Sequence, residues 1–125
     1  ADYGPSVFQG TGRGFVDWVC DSHKHVDMHQ HQVTNIVIEL DGDKASSESY
    51  VFLAMRSERD GKHNRLMVWS RYIDQWSKRE GRWGIDHRHT IMDFDEVSEV
   101  TPVAMHDRGR RDRDDPSYKA IRGIR

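Results

Sequence analysis

The chain has 125 residues, enough for one domain and too few for two, with 35% hydrophobic residues, 32% charged residues and a formal net charge of -2. That balance gives no general attraction to nucleic acid or anionic lipid, and so economical a core gains from contacts between copies. The single cysteine, Cys20, excludes an internal disulfide framework, and the longest apolar run, 51–55, falls far short of the ~20 residues a membrane helix needs, so a soluble cytoplasmic protein is expected.

Residues 3–8 suit a short edge strand interrupted by Pro5. Thr11 has the hydroxyl of an N-cap, and Phe15, Trp18, Val19 and Ser22 follow at helical spacing, which predicts one short amphipathic helix fading near 23–25. From Gln32 onward the periodicity is that of strands, in four runs over 32–40, 45–56, 65–77 and 83–94. A polar loop over 57–64 is expected between the second and third.

The turn at Arg79-Glu80-Gly81 matches a three-residue loop closed by a left-handed glycine. That pairing sets Lys78 opposite Arg82, Trp76 opposite Gly84 and Tyr72 opposite Arg88, with Thr90 and Met92 opposite Ser70 and Val68. For the Asp41-Gly42-Asp43 turn two registers stay open: a two-residue loop pairs His31 with Phe52, a three-residue loop with Leu53. Apolar residues on both faces of the second and third strands imply that both are covered, one by helices and the other by a neighbouring subunit. The alternating arginines and aspartates of 107–113 read as a solvated tail.

Histidine exchanges a proton near neutral pH without a shifted pKa, and His29 and His31 share one face at the mouth of the first strand. His87 and His89 share a face of the last. His-x-His pairs can ligate zinc, iron or copper, but no third ligand follows at a suitable spacing, and no metal is assigned. For His23, His25, His63 and His106 an ordinary surface or structural role suffices. Arg88, mid-strand between Ile85 and Ile91, needs an acid or an anion; Asp74 and Asp86 are the internal acids in range. The tryptophans, Tyr72 and the mixed-charge strands do not make a base-stacking groove.

The order Phe8-Gln9-Gly10, Phe15-Val16-Asp17-Trp18-Val19, His31-Gln32-Val33-Thr34-Asn35, Glu39-Leu40-Asp41-Gly42-Asp43, Arg71-Tyr72-Ile73-Asp74-Gln75-Trp76 and Gly81 through Arg88 resembles the SnoaL-like branch of the nuclear transport factor 2-like superfamily. The resemblance implies an α+β fold of the cystatin-like kind, in which a curved antiparallel sheet forms a cone-shaped barrel packed on helices. It implies a SnoaL-like domain over 1–106 followed by a charged tail over 107–125. Such domains begin with a helix pair that caps the cone and carries an aspartate; that pair is expected upstream of Ala1, absent from this chain. In its absence Asp21 or Asp27 would stand in as the partner of His31.

The branch includes polyketide cyclases, scytalone dehydratase and hexachlorocyclohexane dehydrochlorinase. Their likeness implies that His31 is a general base, Arg88 a stabiliser of developing negative charge and Tyr72 a hydrogen-bond donor. His29, Val33, Val51, Leu53, Val68, Ser70, Thr90 and Met92 would line the pocket, which favours the Leu53 register. The implied function is a cofactor-independent lyase or isomerase, of dehydratase or elimination type, acting on a hydrophobic, partly aromatic small molecule. The other reading is a non-catalytic binding or structural subunit. A homo-oligomer, dimer or trimer, is the expected assembly, with no nucleic-acid or membrane partner.

Overall fold

Three two-residue turns shape the protein in its computed structural model, which describes residues 1–103 and 109–122. They join strands β1 (Met28–Asp41), β2 (Lys44–Arg59), β3 (Lys62–Arg79) and β4 (Arg82–Val100) into one antiparallel sheet of order β1-β2-β3-β4. Before the sheet come helix α1 (Gly12–Ser22) and a single 3-10 turn, His23–His25; a short helix α2 (Pro116–Arg122) follows it. The boundary expected between 106 and 107 and the start of the tail, with His106, lie outside the described residues.

The turns explain where the strands exceed their expected lengths. Asp60 and Gly61 have φ of 54° and 74°, and Glu80 and Gly81 have 49° and 78°, the paired positive values of a type I′ hairpin whose twist matches the strands. The expected loop over 57–64 is therefore sheet, with Ser57 opposite Asn64. The turn at Gly81 has two residues and not three, so Lys78 faces Trp83, and Trp76 faces Ile85. A bulge between Gln75 and Trp76 then restores the facing parity, leaving Asp74 opposite Arg88, Tyr72 opposite Thr90 and Ser70 opposite Met92. Gly81→Ala is expected to cost about 1–2 kcal/mol in urea unfolding, because a Cβ at that φ meets the following carbonyl.

The first hairpin has a similar compensation. Gly42 and Asp43 form a two-residue turn with Asp41 opposite Lys44, and Asn35, at φ 45°, is bulged out between Thr34 and Ile36. That bulge delivers His31 to Leu53, the pairing expected from a longer turn.

Thr11 caps α1 by accepting from the Gly14 amide at 3.1 Å. Phe15 and Trp18 on that helix close a cluster with Tyr3 and Phe8, with Tyr3 stacked on Phe15 at 4.6 Å between ring centres. The expected edge strand over 3–8 is instead a turn flanked by isolated bridges: Asp2 pairs with Gln9 and lies against the β4 edge at His89. The most buried residues, Ser49, Val51, Val68, Ser70 and Asp74, share the concave face of β2 and β3. On the opposite face Phe52, Trp69 and Phe94 stack in one row. Among the described residues no helix is long and apolar enough to cross a membrane.

Candidate functional site

Residues directly opposite in an antiparallel ladder project to the same side, so the register assigns faces without ambiguity. One row runs His31, Leu53, Val68; the next runs Val33, Val51, Ser70, Met92; a third contains Tyr72 and Thr90 and a fourth Asp74 and Arg88. With His29 opposite Met55, all eleven of the expected site residues occupy one face. Two polar clusters stand on that face, with the rows of Leu53, Val51, Val68 and Ser70 between them. On β3 the rows of His31 and Arg88 are six residues apart, ~20 Å in a flat sheet and less in a curved one.

The first group is imidazole. His23, from the 3-10 turn, sits 5.0 Å from His29 between ring centres, and His29 sits 5.6 Å from His31. His31 is exposed like the rest of β1, but partial desolvation of its ring, and then the neighbouring His29 and His23, hold its pKa below the usual value; partial desolvation, then His29 and Arg111, lower His23. His31 is therefore neutral at pH 7, the state a base requires. Of the two acids expected to substitute as its partner, Asp21 is paired instead with Lys24 at 2.6 Å. Among the described residues no carboxylate lies within ion-pair distance of His31.

The second group is denser. Arg88 donates through Nε and Nη2 to the two oxygens of Asp74, both at 2.7 Å, and its guanidinium lies 3.9 Å from the centre of the Tyr72 ring. Asp74 is 2% exposed and the Arg88 side chain 27%. Of the two acids within sequence range of Arg88, Asp74 holds it, whereas Asp86 is taken by Arg79 at 2.7 Å. The Nη1 side of Arg88 makes no hydrogen bond among the described residues. Burial, then the adjacent Tyr3 phenol, push the Tyr72 pKa up to about 12, so this hydroxyl remains a proton donor throughout the neutral range. Beside it the Thr90 hydroxyl is buried without a hydrogen-bond partner among the described residues.

Two members of this group were not singled out from the sequence as site residues. Asp74 is readable as the answer to a mid-strand arginine but not as a nearly sealed anchor. Tyr3 reaches Tyr72 and Arg88 from the N-terminal turn, and nothing in its local spacing announces that. His87 and His89 project to the opposite face, where His89 approaches Asp2 at 3.4 Å. Among the described residues no group of three or more His, Cys, Asp or Glu is placed to hold a metal ion. The exposure of Val33 (51%) and Met92 (52%) leaves the lining of the concave face open to solvent.

Three solved structures share this architecture. A candidate scytalone dehydratase of Novosphingobium aromaticivorans superposes with a TM-score of 0.64 at 21% identity, over 87% of this chain and 72% of that one. The Kfla4162 protein of Kribbella flavida gives 0.61 at 17% identity over 67% of this chain, which spans 59% of that protein's length. A type 2 hexachlorocyclohexane dehydrochlorinase gives 0.60 at 15% identity, over 79% and 69% of the two chains. At these identities the likeness is one of fold: an α+β arrangement of a curved antiparallel sheet and a few helices. No curated protein matches the sequence. The SnoaL-like domain matches residues 1–89, from the N-terminal turn through the strand that carries Arg88. With most of its length accounted for in this way, from the aromatic cluster to the fourth strand, the chain belongs to the SnoaL-like domain family.

Proposed function

We propose that the protein is a cofactor-independent lyase or isomerase that removes a carbon-bound proton from a hydrophobic, partly aromatic small molecule. The observation that carries this reading is the shared face: the register sets the His31 imidazole, the Tyr72 phenol, the Thr90 hydroxyl and the anchored Arg88 guanidinium on one side of the sheet. His31 takes the proton. Negative charge appears on an enolate oxygen or a departing group, and Arg88 and the Tyr72 hydroxyl offset it where the curvature of the sheet brings their rows within one substrate's length of His31. Thr90 is left to orient a substrate hydroxyl or carbonyl. The names of the structurally similar dehydratase and dehydrochlorinase agree with an elimination.

The test is direct. Hydrophobic ketones with a β-hydroxyl or β-halogen, incubated with the protein in D₂O, are expected to lose the leaving group or exchange the adjacent hydrogen for deuterium, as read by NMR and mass spectrometry. If every such compound is bound without exchange or elimination, the catalytic reading is wrong.

A second reading, a non-catalytic small-molecule-binding or structural subunit, is favoured by a different observation. Every residue of β1 is exposed, and His31 has no carboxylate to orient it among the described residues. Saturable binding of those ketones with no deuterium incorporation would decide for it. A dimer or trimer that covers the Phe52, Trp69 and Phe94 face fits either reading.

A further inference from the structure

Arg56 and Arg65 stand directly opposite each other on β2 and β3, on the convex face and therefore away from His31, Tyr72 and Arg88. Like charges at directly opposed positions repel, and strands generally avoid them. Three other strand arginines are neutralised: Arg71 holds Asp93 at 2.9 Å, Arg88 holds Asp74 at 2.7 Å and, at the end of β3, Arg79 holds Asp86 at 2.7 Å. Arg56 and Arg65 have no such acid among the described residues. Glu58, one step along the same face, is turned to His63 at 3.8 Å, and Glu96 faces Met67. Arg65 makes one long bond, from Nη2 to the Ser98 hydroxyl at 3.4 Å. The Arg56 Nε is buried with no acceptor among the described residues.

A buried, charged donor without an acceptor is costly, and doubly so beside a second cation. Arg56 and Arg65 also line a groove of about 440 Å³ at the end of the sheet, together with Met28, His29, Gln30, Ala54 and Met55. That volume is in the range of small-molecule sites, and it combines apolar surface with convergent donors. Two arginine forks match the oxygens of a single phosphate or carboxylate. We propose that this groove binds a small organic anion, its oxyanion head held between Arg56 and Arg65 and its apolar part against Met28 and Ala54. The groove meets the edge of the proposed proton-abstraction face at His29 but includes none of His31, Tyr72 or Arg88, and its test is anion binding rather than turnover.

Inorganic phosphate and benzoate, each titrated at ionic strength held constant with sodium chloride, separate the two oxyanion classes. The readouts are thermal unfolding and the ¹⁵N–¹H signal of the Arg56 Nε. At least one anion is expected to give a saturable shift of both, and Arg56→Gln and Arg65→Gln are each expected to weaken it at least tenfold. Phosphate alone would mark a phosphoryl ligand, benzoate alone a carboxylate. Without added anion, Arg65→Gln should raise Tm, since it removes the repulsion. Should Arg56→Gln fail to fold, the exposed Arg65 still carries the test. No saturable response to either anion, or a response of equal strength in Arg65→Gln, overturns the proposal.

Discussion

Replacing His31 with glutamine is expected to lower kcat/KM for proton removal by roughly 10²- to 10⁴-fold, with the loss in kcat rather than in KM. Glutamine keeps the size and polarity of the ring and removes its basicity, so binding on the concave face should survive. The wild-type pH profile supplies an independent check. Burial first, and then the charges of His29 and His23, depress the His31 pKa below its ordinary 6.5. Protonation destroys the base, so the acidic limb of kcat/KM should lie below that value, and activity should be constant from there to neutral pH. His29→Gln removes one neighbouring cation but not the burial, and should move the limb upward without bringing it fully to 6.5. Folding follows the same sign. The unfolded chain takes up protons on His31 and His23 before the folded protein does, so stability should be greatest above about pH 6.5 and decline as the pH falls. A limb above 6.5, or a His31→Gln protein that keeps full turnover, would remove His31 from the mechanism.

The face assignment was legible in the sequence for reasons that do not depend on getting each turn right. Side chains alternate with period two, and the bulges at Asn35 and between Gln75 and Trp76 each insert one residue where the turn differs by one from expectation. His31 thus reaches Leu53, and Thr90 stays on the face of Tyr72, though it pairs with Tyr72 itself rather than with Ser70. The helix was equally legible, because a threonine cap and aromatic residues at helical spacing are local signals. Partner choice was not. Whether Arg88 finds Asp74 or Asp86 depends on a bulge that brings one acid directly opposite and puts the other within reach of Arg79. Tyr3 joins the site through tertiary packing on Phe15, which no spacing rule encodes. The length of the β2–β3 hairpin was missed for another reason: Asp60-Gly61 is a strong type I′ signal, but the surrounding charges read as a loop when they are the solvated end of two strands.

Asp74→Asn is expected to be the most destabilising of the conservative substitutions at the site, costing roughly 3 kcal/mol in urea unfolding. Asp74 is sealed from water and its two oxygens are both committed to Arg88. Asparagine preserves the shape but replaces one acceptor with a donor and leaves a half-buried guanidinium without its counter-charge. Partial exposure of Arg88 keeps the cost toward the lower end for a broken buried pair, since water can reach one side of the head group. The penalty comes from the stranded cation rather than from the lost attraction, and a second substitution separates the two. Adding Arg88→Met to Asp74→Asn removes the stranded charge and should recover most of the stability. The same double variant should leave His31 titrating as before yet lack the charge stabiliser, so stability and turnover would part company: a well-folded protein with a working base and little elimination. If Asp74→Asn costs no more than an exposed substitution such as Arg82→Gln, the pair does not anchor the site, and Arg88 is not held beneath Tyr72 in the way the chemistry requires.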